Sequence, residues 1–146
     1  MHDDQPLAPD NSAPLVLLID DAEDLRTVVS DFLQSSGFRV ETAKNGFQGV
    51  TRAVESVPDI ILMDLGMPGM DGLETARLLK KQSLTSSVPI VAFTGQTLVD
   101  DMGRIQACGF AELISKPHDL SELADALRRI LKDKASREGE ASGPHH

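Results

Sequence analysis

A chain of 146 residues, 40% hydrophobic and 25% charged, is about one globular domain. It is too apolar for a disordered segment and has no apolar run near the ~20 residues that span a bilayer. The net charge of −9 sits mainly in the body of the chain, with −6 over residues 15–131, and together with the absence of Trp and Tyr it opposes direct contact with nucleic-acid phosphates and bases.

In chain order, the polar start Met1-His2-Asp3-Asp4 lacks the basic and apolar pattern of a signal peptide, which predicts a cytoplasmic protein away from membranes. Residues 1–13 carry no periodicity and are expected to be flexible. Five short apolar runs follow: Leu15 to Ile19, Phe38 to Ala43, Ile60 to Met63, Val88 to Phe93 and Phe110 to Ile114. They are too short and too β-rich for helices. The first, third and fourth are almost continuously apolar, as strands covered on both faces of a parallel sheet must be. In the second, Phe38, Val40 and Thr42 alternate with polar residues, which suggests an edge.

Between the runs, apolar residues recur at helical spacing: Leu25, Val28, Val29, Phe32 and Leu33; then Phe47, Val50, Val54 and Val57; then Leu73, Ala76 and Leu79. Leu98, Met102 and Ile105 make a weaker fourth stripe. Leu120, Leu123, Ala124, Leu127, Ile130 and Leu131 make the clearest, fifth one. Alternation of this kind predicts an α/β domain over 14–132, (βα)5, with a five-stranded parallel sheet and helices on both faces. Residues 133–146 are expected to be a flexible tail, and Gly143-Pro144-His145-His146 is compatible with an expression remnant.

In an open parallel sheet, ligands gather outside the carboxyl ends of the strands, beside the helix N-termini. There the sequence places Asp20 and Asp21 after the first run, Asp64 after the third, Thr94 and Gly95 after the fourth, and Lys116 after the fifth. Each has a plain alternative: Asp21 can cap a helix, Thr94-Gly95 can be turn chemistry, and Lys116 can be a solvated lysine. Asp64 is harder to explain away. It closes a dry central run, where an unpartnered carboxylate is costly. Three carboxylates at one rim repel one another unless a cation joins them. Cys108 is the one cysteine, so thiolate zinc sites are excluded and any metal must use oxygen ligands. Oxygen ligands of this kind suit Mg²⁺ or Mn²⁺, which commonly accompany phosphoryl groups. Asp64 is then the candidate nucleophile, with Asp20 and Asp21 holding the metal and Lys116 and Thr94 gripping phosphoryl oxygens.

The pattern Asp20-Asp21, Ile61 through Asp64-Leu65-Gly66-Met67-Pro68-Gly69-Met70-Asp71-Gly72, Thr94-Gly95 and Lys116-Pro117 resembles the receiver domain of two-component response regulators. Asp20, Asp64, Thr94 and Lys116 are separated by 44, 30 and 22 residues, as in that family. The resemblance runs from about Leu15 to Leu131. It implies a flavodoxin-like fold with strand order 2-1-3-4-5, an order for which a chemotaxis receiver is a standard example. It further implies Asp64 as phosphoacceptor, served by a histidine kinase or a histidine phosphotransfer protein. Asp21 becomes the direct Mg²⁺ ligand, Asp20 a partner acting through water, and the backbone carbonyl of Gly66 a further ligand. Thr94 and Gly95 take the switch position and Lys116 binds phosphate, with a cis-peptide candidate at Lys116-Pro117. The output is an unidentified protein, and the state is a monomer or a phosphorylation-dependent dimer.

The family's usual aromatic three residues before the lysine is replaced here by Leu113, so the customary ring is missing from the switch. Two charge-assisted hydrogen bonds to a phosphoryl group contribute roughly 3–6 kcal/mol, while inverting a 1:99 equilibrium takes ~5.5 kcal/mol. A partial or partner-assisted switch is expected. Two other arrangements stand beside the stand-alone receiver. One is a receiver excised from a hybrid histidine kinase or larger regulator. The other is a Mg²⁺-dependent phosphohydrolase with an aspartyl nucleophile, which would normally carry an acid two residues on, where this chain has Gly66.

Overall fold

The computed structural model describes residues 12–65, 72–94, 109–115 and 119–141. Within them the chain alternates β1 (Leu15–Ile19), α1 (Glu23–Ser35), β2 (Arg39–Ala43), α2 (Gly46–Ser56), β3 (Ile60–Met63), α3 (Gly72–Lys81), β4 (Ile90–Thr94), β5 (Glu112–Ser115) and α4 (Leu120–Ala141). All strand pairs are parallel, and the sheet order is β2-β1-β3-β4-β5. This is the flavodoxin-like α/β fold. The expected helix carrying Leu98, Met102 and Ile105 lies outside the described residues.

Alternate residues of the central strands feed two cores. Val16, Leu18, Ile60, Leu62, Val91 and Phe93 pack with Val29 and Leu33 of α1 and Leu123 and Leu127 of α4. Leu17, Ile19, Ile61, Met63 and Ile90 face the other way, against Ala53 of α2 and Ala76 and Leu79 of α3. The period of two in side-chain direction therefore becomes a sheet with helices on both faces. β2 has only Ala43 buried, consistent with its place at the edge.

Three strands start later than their apolar runs suggest, for local reasons. The Phe38 N–H bonds to the Leu33 carbonyl, closing the end of α1 beside Gly37 at φ 101°, so the buried Phe38 belongs to the helix cap. Val88 donates to Thr85 in a turn, and Pro89 has no N–H to give. Phe110 is apolar because it packs against the core, and β5 pairing starts at Glu112.

The last helix continues to Ala141, into the segment 133–146 whose lack of periodicity gave no sign of a helix. Lys, Ala, Arg and Glu between 132 and 141 favour helix by intrinsic propensity. That signal does not depend on an apolar stripe.

Val57 closes α2 in the left-handed region at φ 46°, and it is the one non-glycine among the described residues with positive φ. Such a conformation costs an L-residue roughly 1–2 kcal/mol, and β-branching adds to it. Val57 is 42% exposed, so little burial is at stake. Val57→Asn is expected to raise stability by about 1 kcal/mol, read as a higher urea midpoint with unchanged slope. An unchanged or lower midpoint would contradict the strain.

Candidate functional site

Sheet register builds the site. Ile19 pairs with Met63, so the next residues, Asp20 and Asp64, leave the sheet side by side at its carboxyl edge. Their backbones are held there: Asp64 N–H donates to the Ile19 carbonyl at 2.9 Å, and Asp20 N–H to the Ala43 carbonyl at 3.0 Å. Met63 also aligns with Ala92, which brings the end of β4, and with it the backbone of Thr94, to the same edge.

Asp20 is 1% exposed, Asp64 is 8% exposed and Asp21 lies in the open. One carboxylate oxygen from each falls within 4.8 Å of the others. An all-oxygen set with this spacing fits a small divalent cation.

The alternative role of Asp21 as a helix cap is not what the fold uses. Ala22 is the N-cap of α1 and provides no side-chain cap. Asp20 takes over the local turn instead, its Oδ1 accepting the Ala22 N–H at 2.9 Å. Among the described residues, none hydrogen-bonds the Asp21 carboxylate.

The helix after Asp64 approaches closely. A Cβ added at Gly72, the first residue of α3, would stand 2.6 Å from Leu65 Cδ2 and 3.1 Å from the Asp64 carbonyl oxygen. Behind the site, Leu65 and Ala92 form a small buried cluster against which Leu73, Phe110 and Leu113 pack. Leu113 therefore contributes aliphatic packing where a ring was missed. Gly66, Gly95, Lys116 and Pro117 lie outside the described residues.

Residues 16–128 match the family model of the response regulator receiver domain. The chain belongs to the response regulator receiver family. This receiver is 30% identical over 118 residues to the polar-differentiation response regulator DivK of Brucella anthropi, covering 81% of this chain and 96% of DivK. It is 29% identical over 119 residues to the DNA-binding dual master transcriptional regulator RpaA of Synechocystis, covering 82% of this chain and 49% of RpaA. It thus spans about half the length of RpaA and of several other transcriptional regulators that it matches. Among solved structures, the chemotaxis protein CheY4 of Vibrio cholerae superposes with a TM-score of 0.77 at 32% identity, over 80% of this receiver and 98% of that chain. The receiver domain of the sensor histidine kinase PA1611 of Pseudomonas aeruginosa superposes with a TM-score of 0.76 at 32% identity, over 82% and 98%. In that structure a magnesium ion is coordinated in the active-site cleft. The receiver is of the two-component, chemotaxis-regulator-like type. No helix among its described residues is long and apolar enough to cross a membrane.

Sequence reasoning missed Arg26, whose guanidinium Nη1 donates to the backbone carbonyl of Asp20 at 2.8 Å. A lone basic residue one turn into an amphipathic helix carries no visible signal. Only the helix's approach to the acid-bearing loop shows what it touches.

Proposed function

We propose that this receiver accepts one phosphoryl group on Asp64 from a phosphohistidine donor, either a histidine kinase or a histidine phosphotransfer protein, and passes the signal on through altered protein contacts. The observation that supports this most is the meeting of Asp20, Asp21 and Asp64 at the carboxyl edge of the sheet. A carboxylate oxygen of Asp64 forms the new bond to phosphorus while the phosphorus–nitrogen bond of the donor breaks, its electron pair staying on the imidazole. Asp21 directly, Asp20 through water, Asp64 and the Gly66 carbonyl would hold Mg²⁺, with Mn²⁺ as a substitute. When bound, the ion supplies positive charge between an anionic acceptor and an anionic phosphoryl group.

Thr94, Gly95 and Lys116 take the phosphoryl oxygens, and the Leu113 cluster receives the resulting shift. The chain acts catalytically on itself alone, since Gly66 stands where a phosphohydrolase would carry its acid. The two kinds of relative support two settings for the output. DivK is matched over 96% of its length, so that relative is little more than a receiver, whereas RpaA carries its receiver in a longer regulator and PA1611 in a sensor histidine kinase.

Incubation with acetyl phosphate should add one phosphoryl group per chain when Mg²⁺ is present and none when it is chelated, as read by intact-protein mass. Sustained release of phosphate from varied monoesters would instead identify a hydrolase.

A further inference from the structure

The contacts that hold Asp20 include three hydrogen bonds among the described residues. Its N–H bonds to Ala43, its Oδ1 accepts from Ala22, and its carbonyl oxygen accepts from Arg26. The third is unlike the others, because it spans six residues and comes from a side chain. The Asp20 carbonyl lies before the N-cap of α1, outside the helix ladder, whereas Ala22 already accepts the Arg26 N–H at 2.9 Å.

That carbonyl shares one rigid plane with the nitrogen and Cα of Asp21. With the Ala22 N–H held on Asp20 Oδ1 and the Asp20 carbonyl held by Arg26, the two peptide planes that flank the Asp21 Cα are both anchored, and together they set the direction in which its side chain leaves the backbone. Asp21 is exposed, and no described residue hydrogen-bonds its carboxylate, so among the described contacts it is the backbone that aims it. On the reading of this site as a Mg²⁺ centre, we infer that Arg26 is a positioning residue for the metal, acting through the Asp20 carbonyl on Asp21.

A cation so near could instead repel Mg²⁺. Its surroundings argue against that as the larger effect. Arg26 is half-buried and lines a hollow of about 290 Å³ between α1 and β2 that Glu23 and Asp31 line as well, so its guanidinium sits on an acidic stretch of surface. The two accounts predict opposite signs, because losing a repulsive cation tightens Mg²⁺ binding and losing a positioning contact loosens it.

Calorimetric titration of Mg²⁺ into the full chain and into Arg26→Gln, Arg26→Met and Arg26→Lys separates them, with thermal midpoints taken in chelator to verify folding. Removing a contact behind a metal ligand typically weakens affinity 10–100-fold. Since this one acts through backbone, roughly tenfold is expected for Gln and Met. Lys, which keeps a donor, should recover part of the loss. In the metal-free protein, ¹⁵N relaxation should show the Asp21 amide gaining mobility in the Met variant, an effect that general destabilisation would spread over the whole fold. Native-like or tighter Mg²⁺ binding by a folded Gln or Met variant would overturn the role of Arg26. A native chain that takes up no Mg²⁺ would overturn the metal reading itself.

Discussion

Asparagine at position 64 is expected to reduce phosphoryl uptake from acetyl phosphate to background while the fold stands. The substitution keeps the shape of the side chain and leaves the backbone bond from Asp64 N–H to Ile19 untouched. It removes the anionic oxygen that attacks phosphorus, and an amide is a poor replacement nucleophile. Asp21→Asn is expected to leave the acceptor in place and weaken Mg²⁺ by at least the 10–100-fold typical of lost contacts behind a ligand. It should therefore slow uptake at limiting Mg²⁺ and be partly rescued at high Mg²⁺. Intact-protein mass measured against Mg²⁺ concentration distinguishes the two. A phosphoryl group that survives Asp64→Asn would move the acceptor elsewhere.

Gly72→Ala is expected to lower stability by about 1–3 kcal/mol, the usual range for overpacking. The added methyl would meet Leu65 Cδ2 at 2.6 Å, and also the Leu65 Cα at 3.0 Å and the Asp64 carbonyl oxygen at 3.1 Å. Leu65 can swing its side chain away, but the two backbone atoms move only if α3 or the strand end moves. Alanine favours helix over glycine by about 1 kcal/mol within a helix interior, yet position 72 is the first residue of α3, where that gain is small. Because one of those backbone atoms is the carbonyl oxygen of Asp64, uptake should slow along with the loss of stability. A variant as stable and as readily phosphorylated as the native chain would show that the approach is looser than the geometry indicates.

The strands and the three acids were readable because each rests on a local pattern. Apolar runs of four to six residues identify buried parallel strands whatever their neighbours, and the polar residue ending each run falls at the sheet's carboxyl edge by connectivity. The start of β2 was misplaced by one residue because Phe38 spends its N–H on the end of α1, a choice made by Gly37 and Leu33 together. The extension of α4 to Ala141 rests on propensity, which an apolar-stripe reading does not register.

The sequence by itself determined the βα alternation, the dryness of the central strands and the placing of Asp20, Asp21 and Asp64 after strands, because those follow from periodicity along one chain. Tertiary structure decided which of the first two acids serves the helix turn, that Arg26 holds the Asp20 carbonyl, and that Gly72 touches the Asp64 backbone. It also placed Leu113 beside Leu65 and Ala92. The physical reason is distance in sequence: hydrogen bonds and packing contacts act over a few ångströms, and only the parallel register of the strands brings these residues within that range.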